Sequence, residues 1–294
     1  MRSAQANASG LLRSEGTGLL AIRLSVVLAM GGMALLFLMI AAFALPAFFQ
    51  SGSGSPFSML WAPQQGAFGI APMIAGSLLM GTLASIPGCI MGLCLCGWLL
   101  CPPPGRRAGA WRMVVGGLIR VMTAIPTVVY GFAAVFLLAP LIRVSFGGSG
   151  FAWLTASIML SMLILPTVIL VLQAGIEPKL EESALSGAAL GMTRMEIFWY
   201  VILPSSKKTV LSAAILGFGR AVGDTMLPLM LAGNAPVMPE SFLSSIRTLT
   251  AHMALVTSNE VGGAAYDSLF MAGLLLLLIN ASVSLAIRRM GERP

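Results

Sequence analysis

The chain has 294 residues, of which 57% are hydrophobic and only 9% are charged, and its mean hydropathy is +0.93. This composition excludes a soluble domain, because a water-soluble core of this size needs far less apolar surface, and it predicts a single domain folded in lipid. The net charge of +7 is concentrated at the ends of apolar segments rather than along one stripe, which argues against nucleic-acid binding.

Six apolar segments are predicted to be membrane-spanning helices, each long enough to cross a hydrocarbon core of ~30 Å. The first apolar run is too long for the core of a signal peptide and is therefore predicted to be a span. The predicted fold class is an all-α integral membrane protein with six transmembrane helices. The approximate ranges are 19–46, 70–100, 113–141, 152–174, 209–232 and 267–287.

The distribution of basic residues predicts the orientation of these spans. Thirteen Arg and Lys residues flank one side, whereas only Arg143 and Arg247 flank the other. The side richer in basic residues is expected to be cytoplasmic, and six spans then place both termini there. Arg120 and Arg220 fall within apolar segments. The thirteen are Arg2, Arg13, Arg23, Arg106, Arg107, Arg112, Lys179, Arg194, Lys207, Lys208, Arg288, Arg289 and Arg293.

The cysteines and the single histidine do not predict a metal site. Cys89, Cys94, Cys96 and Cys101 lie in or at the end of one apolar span, without the spacing of zinc ligands, and His252 is far away in sequence. The cysteines are interpreted as core-filling residues. His252 is interpreted as an ordinary polar residue of the outer loop 233–266, in which the stretch 241–256 is predicted to form an amphipathic helix at the membrane interface.

The longest cytoplasmic connection, 175–208, is predicted to form two short helices. Pro178 is a favourable first residue of a helix, and Gly191 is expected to end that helix. Thr193 is expected to cap a second helix, which ends at Pro204. Two interpretations remain open: a compact docking surface for a partner, or a hairpin that packs the bundle from below. The acidic residues of the first predicted turn are Glu181 and Glu182.

The segment after this loop carries two charges inside an apolar span. Arg220 and Asp224 are four residues apart, a spacing that places them on one helical face and close enough to pair. A charge at the centre of a span costs at least ~2.5–3.5 kcal/mol on insertion scales, so such residues face a cavity or one another. Either the two neutralise each other, or Arg220 faces a translocation path and Asp224 orients it, since a guanidinium suits an oxyanion.

The cytoplasmic connection resembles the docking loop of ATP-binding-cassette importer permeases. The similarity is carried by Gly191, Met192, Thr193 and Arg194 and by the later pair Leu203–Pro204. In that family the loop forms coupling helices that sit in a groove of a separate ATPase subunit. The acid that leads the family motif falls at Leu185 in this sequence, and Glu181 and Glu182 lie a few residues earlier. The resemblance implies a type I importer permease fold with an ATPase docking loop.

The charged span is similar to the GRAxGET segment of phosphate-importer permeases. The match is LGFGRAVGDTMLPLMLAGN at 216–234, and further similarity covers about 60–288. The resemblance implies that Arg220, Asp224 and Thr225 belong to the translocation path, with Asp where the family usually has Glu. The other matching stretches are FGIAPMIAGSLL, IPTVVYGF, LPT and TLTAHMA, in this order.

The resemblance also implies the partners of the chain. They are an ATPase subunit in two copies, a second permease subunit or a second copy of this chain, an extracytoplasmic phosphate-binding protein, and the lipid bilayer. No phosphate-cradling glycine loop and no catalytic constellation is found, so the chain is not expected to be an enzyme or to hold a cofactor. ATP and magnesium are expected in the partner ATPase. The implied location is a bacterial plasma (inner) membrane, crossed several times.

Two domains are expected, and three other functions remain open. Residues 1–66 hold the cytoplasmic N-terminus, the first span and an outer loop, and residues 67–290 form the permease domain with the docking loop at 175–208. An importer for sulfate, molybdate or tungstate would share that loop. A secondary transporter would usually show internal repeats, and none is found. A membrane scaffold would tolerate the neutralisation of Arg220 and Asp224.

Overall fold

The computed structural model describes residues 2–49, 57–102, 105–259 and 263–291. Parts of the predicted outer connection, at 50–56, and Arg293 lie outside the described residues. The helices are α1 Arg2–Phe49, α2 Ala71–Leu100, α3 Arg106–Ala124, α4 Thr127–Ala133, α5 Ala139–Phe146, α6 Trp153–Ala189, α7 Arg194–Glu196, α8 Leu203–Ser205, α9 Lys207–Gly223, α10 Met226–Leu231, α11 Leu249–Asn259 and α12 Ala264–Gly291. Turns of π-helix, Ala134–Leu138 and Ile197–Ile202, join α4 to α5 and α7 to α8.

Five stretches in the described residues are long and apolar enough to cross a membrane. A sixth is present if the bent pair Arg194–Ser205 and Lys207–Gly223, which meet at 77°, counts as one span. The fold class predicted from the sequence is confirmed. The five stretches are Ile22–Leu45, Ala71–Leu100, Thr127–Phe146, Trp153–Ala189 and Ala265–Arg289.

The core of the bundle lies where α2, α6 and α9 pack together. Small residues permit this close approach: Gly88 of α2 lies against Ile164, and Gly217 of α9 lies against Val168 and Ile164 of α6. Close packing and small contact residues replace the hydrophobic effect between helices in lipid. α1 packs on α12 through the stacked rings of Phe43 and Phe270, 5.0 Å apart.

The third predicted span, 113–141, is broken rather than continuous. α3 ends at Ala124, and Pro126 precedes α4 with an extended backbone. Proline has no N–H, so the carbonyl of Met122 loses its helical partner. The hydroxyl of Tyr130 donates to this carbonyl at 2.9 Å. The carbonyl that the break leaves without a helical partner is therefore hydrogen-bonded within the protein, as the membrane interior requires.

Helix α6 corrects the prediction that a new helix begins at Pro178. The helix is continuous for 37 residues, and Pro178 lies inside it. At 1.5 Å per residue α6 is about 55 Å long, so it extends roughly 25 Å beyond a ~30 Å hydrocarbon core. Pro178 is tolerated because Ala174, whose carbonyl it leaves without a partner, is exposed.

The outer loop is folded into the bundle rather than laid on the interface. The helix predicted within 241–256 is α11, Leu249–Asn259, which contacts α2, α10 and α12. His252 is fully buried, its Nε2 lies 3.0 Å from Ser268 Oγ, and its ring meets Trp61 edge-on at 4.4 Å. The interpretation of His252 as an ordinary outer-loop residue was wrong, because apolar packing of α11 draws it inside.

Trp61 belongs to a small antiparallel hairpin on the same side. Its strands are β1 Trp61–Ala62 and β2 Ala67–Phe68, with Trp61 opposite Phe68. This hairpin precedes α2 and brings its indole onto α11. The outer face is therefore a cap built from three separate stretches of the chain: the hairpin, α11, and the part of α12 that carries Ser268.

Candidate translocation site and docking knob

Arg220 lies in the last turn of α9, with its side chain exposed on the surface of the protomer. The opposite face of α9 is packed: Gly219 lies against Val283 of α12, and Ala221 and Val222 are buried. Arg220 is 13 residues beyond Lys207, about 20 Å along the helix axis. It therefore lies far from the start of α9, on a face of this helix that the rest of the protomer does not cover.

Asp224 does not share a helical face with Arg220, which corrects the predicted spacing. α9 ends at Gly223, and Asp224 has an extended backbone with φ −73° and ψ 136°. Its Oδ2 accepts a hydrogen bond from the N–H of Leu227 at 2.9 Å, and its carbonyl accepts one from the hydroxyl of Thr250 at 2.8 Å. Asp224 therefore caps the start of α10.

The predicted ion pair is absent. Among the described residues, no carboxylate oxygen lies within 4.0 Å of the Arg220 guanidinium. The physical reason is the end of the helix at Gly223, which turns the Asp224 carboxylate toward α10. Thr225 is half-buried at the first position before α10, and its side chain does not cap that helix. The structure thus leaves Arg220 without a direct ion pair in the part of the chain that it describes, although the Asp224 charge lies near enough to act on it.

The cytoplasmic end of α6 and the segment after it, residues 175–205, form a compact unit that we call the docking knob. Gly191 has φ +76°, a conformation that favours glycine. The N–H of Met192 donates to the carbonyl of Gly187, and that of Gly191 to the carbonyl of Ala188, both at 3.0 Å. This pair of bonds is a Schellman motif. The prediction that Gly191 ends the first helix is confirmed.

Thr193 caps the second helix, as predicted, and does so with a partner that the sequence analysis missed. The Thr193 hydroxyl accepts from the N–H of Glu196 at 3.3 Å, and Glu196 Oε2 accepts from the N–H of Thr193 at 2.7 Å. The backbone and side-chain hydrogen bonds from Thr193 hold the pKa of Glu196 below its ordinary value. The signal was available in the sequence, since Thr followed by Glu three residues later is a capping box.

The knob is clamped to the bundle by side chains that enter glycine gaps. Phe198 is fully buried, and a Cβ added at Gly97 of α2 would lie 2.9 Å from its Cε1. Within the knob itself, a Cβ added at Gly187 would overlap the side chain of Ile197. The thiol of Cys101, at the end of α2, donates to the carbonyl of Arg194 at 3.3 Å.

The remaining predicted docking residues lie on the surface of the knob. Glu181 and Glu182 are exposed on α6. They lie inside this helix and not in a first helical turn, as the sequence had suggested. Leu185 is 85% exposed, so an apolar side chain stands where the family motif has an acid. Arg194 and Pro204 are exposed and Leu203 is half-buried. The second helix continues to Ser205, one residue beyond its predicted end.

Two further features bear on chemistry. In the ranges that the structure describes, no three His, Cys, Asp or Glu side chains are arranged to hold a metal ion. Ser206, which joins the knob to α9 at the 77° bend, is fully buried and accepts from Lys179 Nζ at 3.3 Å. The base of the helix that carries Arg220 is therefore attached to the knob at a defined hinge.

Comparison with known proteins agrees with this architecture. Residues 104–293 match the family described as binding-protein-dependent transport system inner membrane component. The chain is 30% identical over 243 residues to the probable ABC transporter permease protein YqgH of Bacillus subtilis, covering 80% of this chain and 76% of the relative. It is 30% identical over 254 residues to the phosphate transport system permease protein PstC of Pasteurella multocida, covering 78% and 76%.

A solved structure shows the same fold. A chain of the MetNI methionine ABC transporter, from a structure of its inward facing conformations, superimposes with a TM-score of 0.54 at 18% identity. The match covers 79% of this chain and 99% of the other. This likeness shows the type I importer permease fold predicted from the sequence. The chain belongs to the family of inner membrane components of binding-protein-dependent transport systems.

Proposed function

We propose that this chain is the permease subunit of an ATP-binding-cassette importer that carries inorganic phosphate into the cytoplasm. The observation that carries the proposal is Arg220, an exposed guanidinium that makes no direct ion pair within the described residues and lies beside a helix break. Relatives named phosphate transport system permease proteins, from Pasteurella multocida and Haemophilus influenzae, support this choice of substrate.

Arg220 suits a phosphate oxyanion for a physical reason. An unpaired charge in the membrane interior is costly, so a protein retains one where it faces a water-filled path or a ligand. The planar guanidinium donates two parallel hydrogen bonds to adjacent oxygens of a phosphate. Asp224 acts in this proposal by fixing the start of α10, and Thr225 adds a half-buried hydroxyl next to it.

The docking knob is the proposed seat of a separate ATPase, two copies of which would bind ATP and magnesium. Movement of the knob would reach α2 through the Phe198–Gly97 contact and α9 through the hinge at Ser206. α9 carries Arg220, so the proposed movement alters the access of the path to either side. The docking residues are Glu181, Glu182, Gly191, Thr193, Arg194, Leu203 and Pro204.

The proposal includes the assembly and its orientation. The permease domain, 67–290, would pair with a second permease or with a second copy of itself, and an extracytoplasmic phosphate-binding protein would dock on the cap formed by α11 and the β-hairpin. The distribution of basic residues supports a cytoplasmic location for both termini. The chain would sit in the bacterial inner membrane and hold no cofactor of its own.

The test is uptake of radiolabelled phosphate in cells that lack their own high-affinity system and express the complete importer. Arg220→Gln removes the charge and Arg220→Lys retains it without the planar fork. Arg143→Gln, an exposed arginine at the end of α5, is the matched control. We expect uptake to be abolished by Arg220→Gln, reduced by Arg220→Lys and unchanged in the control.

Competing anions decide the substrate. Inhibition by arsenate, but not by sulfate or molybdate, is the expected result. Inhibition by sulfate or molybdate would move the proposal to another oxyanion importer. Normal uptake by Arg220→Gln at wild-type membrane levels would refute the role of Arg220.

A further inference from the structure

A basic cavity lies away from Arg220, between α3 and the cytoplasmic half of α6. Its volume is about 590 Å³. On α3 it is lined by Arg112 and Arg120, and on α6 by Gln173 and Glu177. Of these residues only Glu177 belongs to the docking knob, and none belongs to the translocation site.

Part of the wall that α3 contributes is glycine backbone, together with the side chains of Met113 and Ile119. Gly109, Gly116 and Gly117 line the cavity, and a Cβ built at any of them would meet no atom within 4 Å. Glycine inside a helix costs about 1 kcal/mol relative to alanine. The space in front of these glycines is open, so packing within the protomer does not require them.

The cavity carries an excess of positive charge. Arg112 and Arg120 are both exposed, and among the described residues no carboxylate oxygen lies within 4.0 Å of either guanidinium. Glu177 on the facing wall offsets one of the two charges. Arg120 is eight residues beyond Arg112, about 12 Å along the axis. The Gln173 side-chain amide adds a neutral donor.

The cavity lies at the cytoplasmic boundary of the membrane. Gln173 is 20 residues beyond Trp153 (173 − 153), about 30 Å along α6, which equals the thickness of the hydrocarbon core. Trp111, next to Arg112, is 61% exposed, and tryptophan is enriched at the level of the lipid headgroups. Large apolar side chains of α3 extend toward lipid from there: Met113, Val114, Leu118 and Val121, all at least 55% exposed.

We propose that this cavity binds a phosphate group, and that the group is the headgroup phosphate of an acidic phospholipid in the inner leaflet. Two unpaired guanidinium groups supply the charge-assisted hydrogen bonds that a phosphate requires. Basic pockets between helices on the cytoplasmic side are a recurrent kind of lipid site. The exposed apolar stripe of α3 lies beside the cavity and accommodates the acyl chains. The inference does not depend on which substrate is transported.

The test uses the purified full chain in its complex, reconstituted in nanodiscs of phosphatidylcholine with a minor fraction of fluorescent phosphatidylglycerol. The variant is Arg112→Gln with Arg120→Gln. The control is Arg23→Gln with Arg289→Gln, which removes the same charge from exposed cytoplasmic positions elsewhere. The control loses only the general attraction of surface charge for acidic lipid, whereas the variant also loses hydrogen bonds to a charged phosphate, so we expect the variant to lose at least roughly tenfold more affinity than the control.

Two arms separate the sources of the phosphate group. Millimolar inorganic phosphate is added as a competitor at constant ionic strength, and binding of radiolabelled phosphate alone is measured. The proposal requires that inorganic phosphate fails to displace the lipid. Specific binding of free phosphate that is lost in the variant, with unchanged lipid binding, would assign the cavity to phosphate and overturn the lipid proposal. Equal losses in variant and control would reduce the effect to general surface charge and also overturn it.

Discussion

Replacing Asp224 by Asn and by Ala separates capping from charge pairing at the translocation site. The carboxylate accepts from the N–H of Leu227 at 2.9 Å, and Leu227 is fully buried, so water cannot replace the bond. Asn keeps an acceptor oxygen of nearly the same reach, and it exchanges a charge-assisted bond for a neutral one at a cost of about 1 kcal/mol. Ala leaves the N–H unpaired, at about 1–3 kcal/mol beyond the lost bond.

These magnitudes predict clearly different variants. Because about 1.4 kcal/mol is tenfold in an equilibrium constant, the capped start of α10 is destabilised up to about tenfold in Asp224→Asn and roughly 30-fold or more in Asp224→Ala, and uptake is expected to fall in the same order. The assay is initial phosphate uptake, normalised to the amount of protein in the membrane, with thermal unfolding of the purified complex as the measure of stability. The Asn variant should melt close to the wild type and the Ala variant clearly below it.

If both variants were equally inactive and equally well folded, Asp224 would not act as a cap, because its charge would then be what transport needs. The double variant Arg220→Gln with Asp224→Asn sharpens this control. If the second substitution rescued the transport lost in Arg220→Gln, the two side chains would form the ion pair that the sequence suggested. The structure predicts no rescue, because the Asp224 carboxylate is hydrogen-bonded to the N–H of Leu227 and makes no direct ion pair with Arg220.

Three further predictions concern the supports of the site. Gly97→Ala places a Cβ 2.9 Å from a buried aromatic ring of the docking knob, so it should cost about 1–3 kcal/mol in thermal unfolding, whereas Gly109→Ala, with no atom within 4 Å, should not destabilise. Tyr130→Phe removes a 2.9 Å bond to a backbone carbonyl at the helix break and should cost about 1 kcal/mol, measured in the same assay. Glu196 has a lowered pKa, so its stabilisation is complete above its ordinary pKa and is lost as the pH falls through the lowered one. The protection factors for hydrogen exchange at 194–205, which correct for the slower intrinsic exchange at acid pH, should therefore fall at acid pH in the wild type but not in Glu196→Gln, and equal pH dependence in both would contradict this.

Local signals in the sequence were sufficient where short-range hydrogen bonds decide the structure. Gly191 ends its helix and Thr193 begins the next, because the Schellman bonds and the capping box involve residues at most five positions apart. The long apolar runs likewise predicted the spans near 19–46, 70–100, 152–174 and 267–287, whereas the predicted spans 113–141 and 209–232 are both interrupted by helix breaks. The roles of these residues in docking stay predictions.

The sequence was insufficient where contacts distant in the chain decide. The spacing of Arg220 and Asp224 predicts one helical face only if the helix continues, and Asp224 is held outside the helix partly by Thr250, 26 positions away. Pro178 was expected to begin a helix, but α6 was already formed and tolerates a proline at an exposed turn. His252 is buried because Trp61 and Ser268 cover it, and no local pattern signals that.

The two helix breaks are structurally connected, and they lie beside the proposed translocation path. α4, which follows the break at Pro126, packs on α10, which follows the break at Asp224, and Gly131 of α4 lies in direct contact with Met230 of α10. In each break a side-chain hydroxyl donates a hydrogen bond to a backbone carbonyl that lacks its helical partner. Tyr130 donates to the carbonyl of Met122, and Thr250 donates to that of Asp224. Irregular backbone is tolerated at membrane depth only where it is buried in protein or lines a cavity. Because Arg220 is exposed immediately before the second break, we expect a transported anion to meet the protein at the level of these two breaks.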